Sequence, residues 1–433
     1  MNILKEEIVD FQIIHKDPIG DIYEYRNGII RIIQNSYKSY VKQLLKSGLI
    51  DRLVKEHLLV ETYLSSDTFE DRIILEHKRI APRQLYSQWT FSMMRDAALL
   101  VLKMNMVCMK FGYELKDCHQ DNILFDGTRP VYVDFGSIVK RNKKSAGRGW
   151  IARSGFMECY YYPLKLWSKG YENTINALML CGHIELRELI KMYYHVPIKT
   201  ADSILSVKAV LPEKKAESEL KEFFVKMNKL RYHGNTQWIN YQDSYWEEGS
   251  NGRFDYEIEW INNREDIETM LEIGANQGFF SFLAATRTKI KKIISTDYDK
   301  GAVDIMYQRL KEEKSHNNKI TPLIFDFVWP LEEEINALRS DLIVANALTH
   351  HLLLSQRMSM KAIVDRLAVL SNKYVIVEFM ENGIYKRKKD LPGWYTLDNF
   401  VKSMEDRFSD INIQQVEKGR TMITGLKRIN KTV

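Results

Sequence analysis

Two groups of residues in this 433-residue chain have the types and spacing for chemistry. The first opens at Glu272-Ile-Gly274-Ala-Asn276-Gln-Gly278-Phe279. An apolar run of strand type, Thr269-Met-Leu, leads into two glycines four apart, and SFLAATRTK then reads as a helix. Strand, glycine turn and helix form the first unit of a nucleotide-binding α/β fold. A residue without Cβ turns tightly and lets a ligand approach the backbone. The helix start offers N–H groups to that ligand. Such a fold places an acid at the next strand end, about 20 residues on, to hold ribose hydroxyls. KKIISTDYD supplies Asp297 there, with Tyr298 and Asp299 behind it. Later strand ends carry Asp326 and Phe327 in TPLIFDFVW, Asn346, His350 and His351 in DLIVANALTHHL, and Glu378 in KYVIVEFM. Imidazole titrates near neutrality, so His350 or His351 can take the proton of a hydroxyl acceptor. Glu378 is a second candidate, as a base or as the partner that orients a histidine. The plain alternative is that one histidine packs and the other hydrogen-bonds backbone.

The second group lies in YELKDCHQDNILFDGTRPVYVDFGSIVKR. Asp117 and Asn122 are five apart, a strand pair turns at Asp126-Gly127, and Asp134-Phe135-Gly136 follows. One carboxylate can face an acceptor hydroxyl, while Asn122 and Asp134 can hold Mg²⁺ against phosphates. This order resembles the catalytic loop and DFG segment of the protein kinases. The chain departs from that pattern upstream. It has no G-x-G-x-x-G loop and no V-A-I-K-like lysine, and Arg31 is the nearest basic candidate on a strand, where arginine is not equivalent to lysine. The readings are an active kinase, a pseudokinase that binds a ligand or supports the fold, and a turn capped by Asp117 and Asn122. His119 reads as structural. The basic tract Lys140-Arg141-Asn142-Lys143-Lys144, with Arg148 beyond it, takes the place of an activation loop. It suits either an acidic substrate or a solvated loop.

The elements that must position these groups follow from pattern. DIYEYRNGIIRIIQ reads as a hairpin turning at Asn27-Gly28. SYKSYVKQLLKSGLIDRLVKEHLL reads as a helix interrupted near Gly48, and RIILEHKRI as a strand. QWTFSMMRDAALLVLKMNMVCMKFG is apolar all round and reads as a helix central to a core. GFMECYYYPLKLW reads as packing. SVKAVLPEKKAESELKEFFVKMNKL looks like a linker helix. Trp238, Tyr241, Tyr245 and Trp246 then stand ahead of the nucleotide-binding fold, as a lid or as packing. The strand intervals from Thr269 onward are those of a doubly wound sheet, with NIQQVEK and RTMITGLKRI as a closing antiparallel pair.

Length implies two or three domains, and 45% hydrophobic residues suffice for buried cores. A net charge of +6 with 28% charged residues permits an anionic partner without requiring one. Cys108, Cys118, Cys159 and Cys181 form no C-x-x-C, which argues against a zinc site or disulfide framework. The acidic start MNILKEEIVDFQ is unlike a signal peptide, and no apolar run reaches transmembrane length. A cytoplasmic location is therefore expected.

E-x-G-x-x-x-G in LEIGANQGFFS, with Asp297 in STDYD, resembles motif I and the second strand end of the class I S-adenosylmethionine (SAM) methyltransferases. Together with LVKEHLL, FSMMRDAALL, LKDCHQDNILFDGTRPVYVDFGSI, TQWINY and ALTHHL, the chain is similar to a bacterial group of such enzymes with a kinase-like N-terminal region, including nodulation-associated proteins and enzymes near surface-polysaccharide genes. The resemblance implies an α/β protein. A kinase-like α+β domain with a reduced N-lobe would span residues 1–200 and a helical and aromatic connector residues 201–250. A Rossmann-like methyltransferase domain would span residues 251–433. It implies SAM held by Glu272, Gly274, Asn276, Gly278, Phe279, Asp297, Tyr298, Asp326, Phe327 and Asn346, with Mg-ATP at the kinase-like site if that site is active. The expected acceptor is a glycan, a sugar phosphate or a related small anion. A bifunctional alternative, phosphorylating and then methylating the acceptor, is similar in reversed domain order to the kinase–methyltransferase that terminates O-antigen chains. No N-P-P-Y-type motif follows the fourth strand and the aromatics are not set among basic residues, which points away from nucleic acid.

Overall fold

The strand Gly28–Ile33 shows how the first half of the chain folds. Its side chains alternate across the sheet. Ile30 and Ile32 pack with Phe69 and Ile74 on one face, which leaves the nearly fully buried Arg31 on the other. The computed structural model describes residues 9–10, 17–25, 28–141, 149–180, 185–200, 213–232, 234, 236, 238–249, 252–313, 318–384 and 391–428. Asn27 of the expected hairpin turn, Asn142 to Lys144 and Arg148 of the basic tract, and Cys181 lie outside these residues. By its contacts the chain divides into two units, residues 1–81, 93–126 and 130–232, and residues 82–92, 127–129 and 233–433.

The first unit carries an antiparallel sheet in the order β1-β2-β3-β5-β4. These strands are β1 (Val9–Asp10), β2 (Gly20–Tyr25), β3 (Gly28–Ile33), β4 (Thr62–Phe69) and β5 (Arg72–His77). The helix Phe91–Lys110 is apolar all round and buries Met94, Ala97, Ala98, Val101, Leu102 and Met104. Two short strand pairs follow. β6 (Tyr113–Leu115) pairs with β9 (Ile138–Lys140), and β7 (Ile123–Asp126) with β8 (Arg129–Tyr132). The expected linker helix, Glu213–Lys229, is part of this unit. Ala216, Leu220, Phe223 and Met227 make a helical stripe that is buried. Its Glu219 accepts hydrogen bonds from Trp150 Nε1 at 3.1 Å and Arg153 Nε at 2.8 Å.

The second unit is built on a seven-stranded sheet in the order β12-β11-β10-β13-β14-β16-β15. Its strands are β10 (Thr269–Ile273), β11 (Lys292–Asp297), β12 (Ile320–Ile324), β13 (Ser340–Ala345), β14 (Ser371–Met380), β15 (Phe408–Glu417) and β16 (Arg420–Lys427). The first five are parallel, and β16 inserts antiparallel between β14 and β15. Order reverses between β10 and β13, the switch point where doubly wound sheets take ligands. Met270 and Leu271 point to opposite faces and both are fully buried, because helices cover a parallel sheet on both sides. On one face, Phe254 and Ile258 of helix Gly252–Asn262 pack with Phe280 and Leu283 of helix Phe279–Arg287 and with Met306 and Leu310 of helix Lys300–Glu312. β12 stops at Ile324, short of the expected Phe327. Asp326 there turns its carboxylate onto the amides of Val328 and Trp329, at 2.8 and 3.1 Å. Among the described residues no helix is long and apolar enough to cross a membrane.

Candidate active site

The loop after β10 sits at the switch point. Gly274 and Gly278 hold φ of +74° and +79°, a region costly for residues with a Cβ. At Gly278 a Cβ would also lie 2.6 Å from Met306 Sδ, so the turn and the neighbouring helix both require glycine. Asn276, at φ +54°, donates its backbone N–H to Asp297 Oδ2 at 2.7 Å. Asp297 Oδ1 accepts from the Asp299 amide at 2.8 Å. The acid at the end of β11 is thereby fixed against the loop, with Asp299 capping the next helix through the Ala302 amide. Burial pushes the Asp297 carboxyl up to about 6.

Glu272, inside the end of β10, is nearly fully buried and accepts from Ser281 Oγ at 2.5 Å, with Ser295 Oγ next in line, 2.9 Å from Ser281. Burial pushes its carboxyl up to about 7. Tyr298 is 69% exposed at the open edge. Phe327 is buried, with the Arg366 guanidinium on its carbonyl and 5.6 Å from its ring. The Phe279 ring differs from the expected cofactor contact. It lies in the core against Phe254 and Tyr245.

The amides at the start of helix Phe279–Arg287 differ from expectation as well. Gln242 lies over them, and its Oε1 accepts from Gln277 and Phe279 at 3.1 and 3.2 Å, while its Nε2 donates to the Ala275 carbonyl at 3.0 Å. Asn276 Nδ2 donates to the Trp238 carbonyl at 2.8 Å. The aromatic segment therefore packs on the glycine loop. Gln242 carries this contact, and no sequence pattern singles it out among the flanking tyrosines.

Beyond β13 and β14 lie the other predicted groups. His350 and His351 open the short helix Thr349–Leu354 with ring centroids 4.1 Å apart, and Trp238 stands 5.1 Å from His351. Burial lowers His350 to about 3 and also lowers His351, so both rings are neutral near pH 7, and His350, expected as a base, is a weak proton acceptor. Glu378 is fully buried. It accepts from Arg253 Nη1 at 3.2 Å, Arg420 Nη1 at 2.6 Å and the Ala347 amide at 2.7 Å. That is the geometry of an anchor for the loop after β13, with its lone pairs committed. Asn346 donates to Glu257 Oε2 at 3.2 Å. Glu257, from helix Gly252–Asn262, is fully buried, and burial holds its carboxyl well above the usual range. Asn346 Oδ1, Glu257 Oε1, Asn276 Oδ1 and His350 Nδ1 are buried with no hydrogen-bond partner among the described residues. Unsatisfied buried acceptors are rare and call for a donor. The amino group and ribose hydroxyls of SAM are donors of that kind, so these residues fit the cofactor. Glu257 and Arg253 escape sequence reading because an isolated charge on a helix reads as surface, and Gln242 because it stands in a turn just ahead of the short helix Asp243–Glu248.

In the first unit, Asn122 Nδ2 donates to Asp117 Oδ2 at 3.0 Å, so this pair is brought together. Asp134 Oδ1 accepts from the Gly136 amide at 2.9 Å and from Arg31 Nη2 at 3.3 Å, and Oδ2 accepts from Ser137 Oγ. Among the described residues no three His, Cys, Asp or Glu side chains converge on a metal position.

No protein-family model matches the chain. The nodulation protein NoeA of Rhizobium meliloti (strain 1021) is 23% identical over 92% of this chain and 88% of its own. The methyltransferase domain of bacterial CtHen1 is 16% identical, with a TM-score of 0.33 over 41% of this chain and 98% of that one. Magnesium protoporphyrin IX methyltransferase (ChlM) from Synechocystis PCC 6803, with SAM bound, is 13% identical, with a TM-score of 0.31 over 51% of this chain and 99% of that one.

Proposed function

We propose that the second unit is a SAM-dependent methyltransferase acting on an oxygen of a glycan, sugar phosphate or related small anion, and that the first unit is a kinase-like domain that binds or modifies the acceptor. The observation that carries this reading is the acid at the end of β11. Asp297 is bonded to the glycine-loop amide of Asn276 at the switch point of the sheet, where it meets a ribose diol. Glu272 and Asp326 lie at the neighbouring strand ends.

When bound, SAM supplies a methyl group on a sulfonium, which the acceptor oxygen takes by in-line displacement as the carbon–sulfur bond breaks. The chain's own part is alignment. The glycine loop and Asp297 fix the nucleoside end, and the unpartnered oxygens of Asn346 and Glu257 receive the amino end. Of the two histidines, His351 is the one left to accept the proton when the acceptor is a hydroxyl, since burial lowers His350 to about 3, and a phosphate or carboxylate acceptor needs no base. The Asp297→Ala variant tests this. It is expected to lose SAM affinity at least about 100-fold, roughly 2.7 kcal/mol, and undiminished affinity would sink the assignment.

The second reading is bifunctional, with Asp117 facing an acceptor hydroxyl and Asn122 and Asp134 holding Mg²⁺ against ATP. The Asp117–Asn122 contact brings that pair together, although Asp117 also accepts the His119 amide at 3.0 Å, as in a capped turn. It predicts Mg-ATP binding that Asp134→Asn removes. Failure to bind ATP with any divalent metal would leave the first unit as a binding module.

A further inference from the structure

The buried guanidinium of Arg31 is held between two carboxylates. Its Nη1 bonds Asp17 Oδ2, and its Nη2 lies 3.3 Å from Asp134 Oδ1. Asp134 alone would balance the arginine's charge, and Asp17 brings the triad to net −1. Asp17 is also built into place. Its Oδ1 accepts from the Ile19 amide at 2.9 Å. Its Oδ2 sits so close over Gly136 that a Cβ there would be 2.2 Å away. The arginine side chain is 2% exposed, while those of Asp17 and Asp134 are 14% and 24% exposed, so solvent reaches the site from the carboxylate side. Arg31 Nε has no partner among the described residues. A guanidinium fork matches phosphate as it matches carboxylate. The residues that would carry a cation, Asn122 and Asp134, are meanwhile bonded within the protein.

We propose that Arg31 is the phosphate-binding cation of the first unit and that Asp17 competes for it, so that a phosphate-bearing ligand binds by displacing Asp17. The choice of a magnesium nucleotide as that ligand rests on the kinase-like reading, whereas the displacement rests on the triad itself. Asp17 thus acts as an internal competitor. It lowers affinity for the anion by competing for Arg31, as a poorly populated binding-competent state lowers apparent affinity. Its removal leaves Arg31 paired one-to-one with Asp134, so the fold keeps a balanced ion pair.

The test is calorimetric titration of the full-length protein with pyrophosphate without metal, and separately with Mg-ATP. Wild type, Asp17→Asn, Asp17→Ala and Arg31→Met are compared, with thermal unfolding of each as a check on folding. Both Asp17 variants are expected to bind pyrophosphate at least about 10-fold more tightly than wild type, and Arg31→Met is expected to bind neither probe. Tighter pyrophosphate binding in both Asp17 variants without Mg-ATP binding supports the displacement and removes the kinase-like reading. Mg-ATP and pyrophosphate affinities equal in wild type and the Asp17 variants keep the kinase-like reading and overturn the displacement. Absence of pyrophosphate binding in both folded Asp17 variants, or binding undiminished in Arg31→Met, also overturns it.

Discussion

Gln242 Oε1 accepts the backbone N–H of Phe279 at 3.2 Å, so a side chain from the aromatic segment caps the helix that follows the glycine loop. The same oxygen takes the Gln277 amide, and Nε2 holds the Ala275 carbonyl. Gln242→Ala would leave the buried Gln277 and Phe279 amides short of this acceptor, while the Ala275 carbonyl keeps the Gly278 N–H. The expected cost is about 1–3 kcal/mol of stability, together with weaker SAM binding. Urea denaturation and SAM titration of the same variant measure both, and a variant unchanged in both would show that the cover is incidental.

Glu378 sits between Arg253 and Arg420 with no exposed surface. Removing one member of a buried pair leaves the other charge uncompensated, so Glu378→Gln should cost about 3–5 kcal/mol. An anchor predicts this loss of stability by chemical denaturation. A catalytic base predicts normal stability with a lost kcat.

The pH dependence of cofactor binding follows from Asp297 and Glu272, whose carboxyls are pushed up to about 6 and about 7 by burial. A ribose diol donates to an ionised carboxylate. Binding should be full above pH 7 and weaken as pH falls, approaching about tenfold per unit below pH 6 for Asp297 alone. His350, lowered to about 3, stays neutral through this range and adds no loss. Affinity for SAM measured from pH 5 to 8 checks the sign, and tighter binding at low pH would contradict it.

The second unit includes segments from far upstream. The Ser92 amide and hydroxyl both donate to the Asp304 carboxylate at 2.9 Å, and the buried Tyr307 hydroxyl donates to the Thr128 carbonyl at 3.0 Å. A fragment starting at residue 233 lacks Ser92 and Thr128. Each lost bond to a buried group costs about 1–3 kcal/mol, so calorimetry should show this fragment melting at least about 5 °C below the second unit's transition in the intact chain. An equal melting temperature would mean that the upstream segments add nothing.

The strands of the second unit are legible in sequence because each is a short apolar run closed by glycine, an acid or a turn, and their order follows from crossover geometry. Glu272, Gly278 and Asp297 are legible for the same reason, since backbone geometry ties them to fixed offsets. Gln242, Arg253 and Glu257 are not. Their roles come from which distant strand end they meet, and helical spacing carries no trace of that. The helix Glu213–Lys229 looks like a connector from its charge, yet its stripe of Ala216, Leu220, Phe223 and Met227 is core. Asp17 was equally silent, because its partner Arg31 comes from a strand and its neighbour Gly136 lies more than a hundred residues on.

The loop from Glu272 to Gly278, closed by Asp297, is proposed to hold SAM. Isothermal titration of the full-length protein with SAM at pH 7.5 decides this. One saturable site is the predicted result. No measurable binding under conditions where the protein is folded would contradict it.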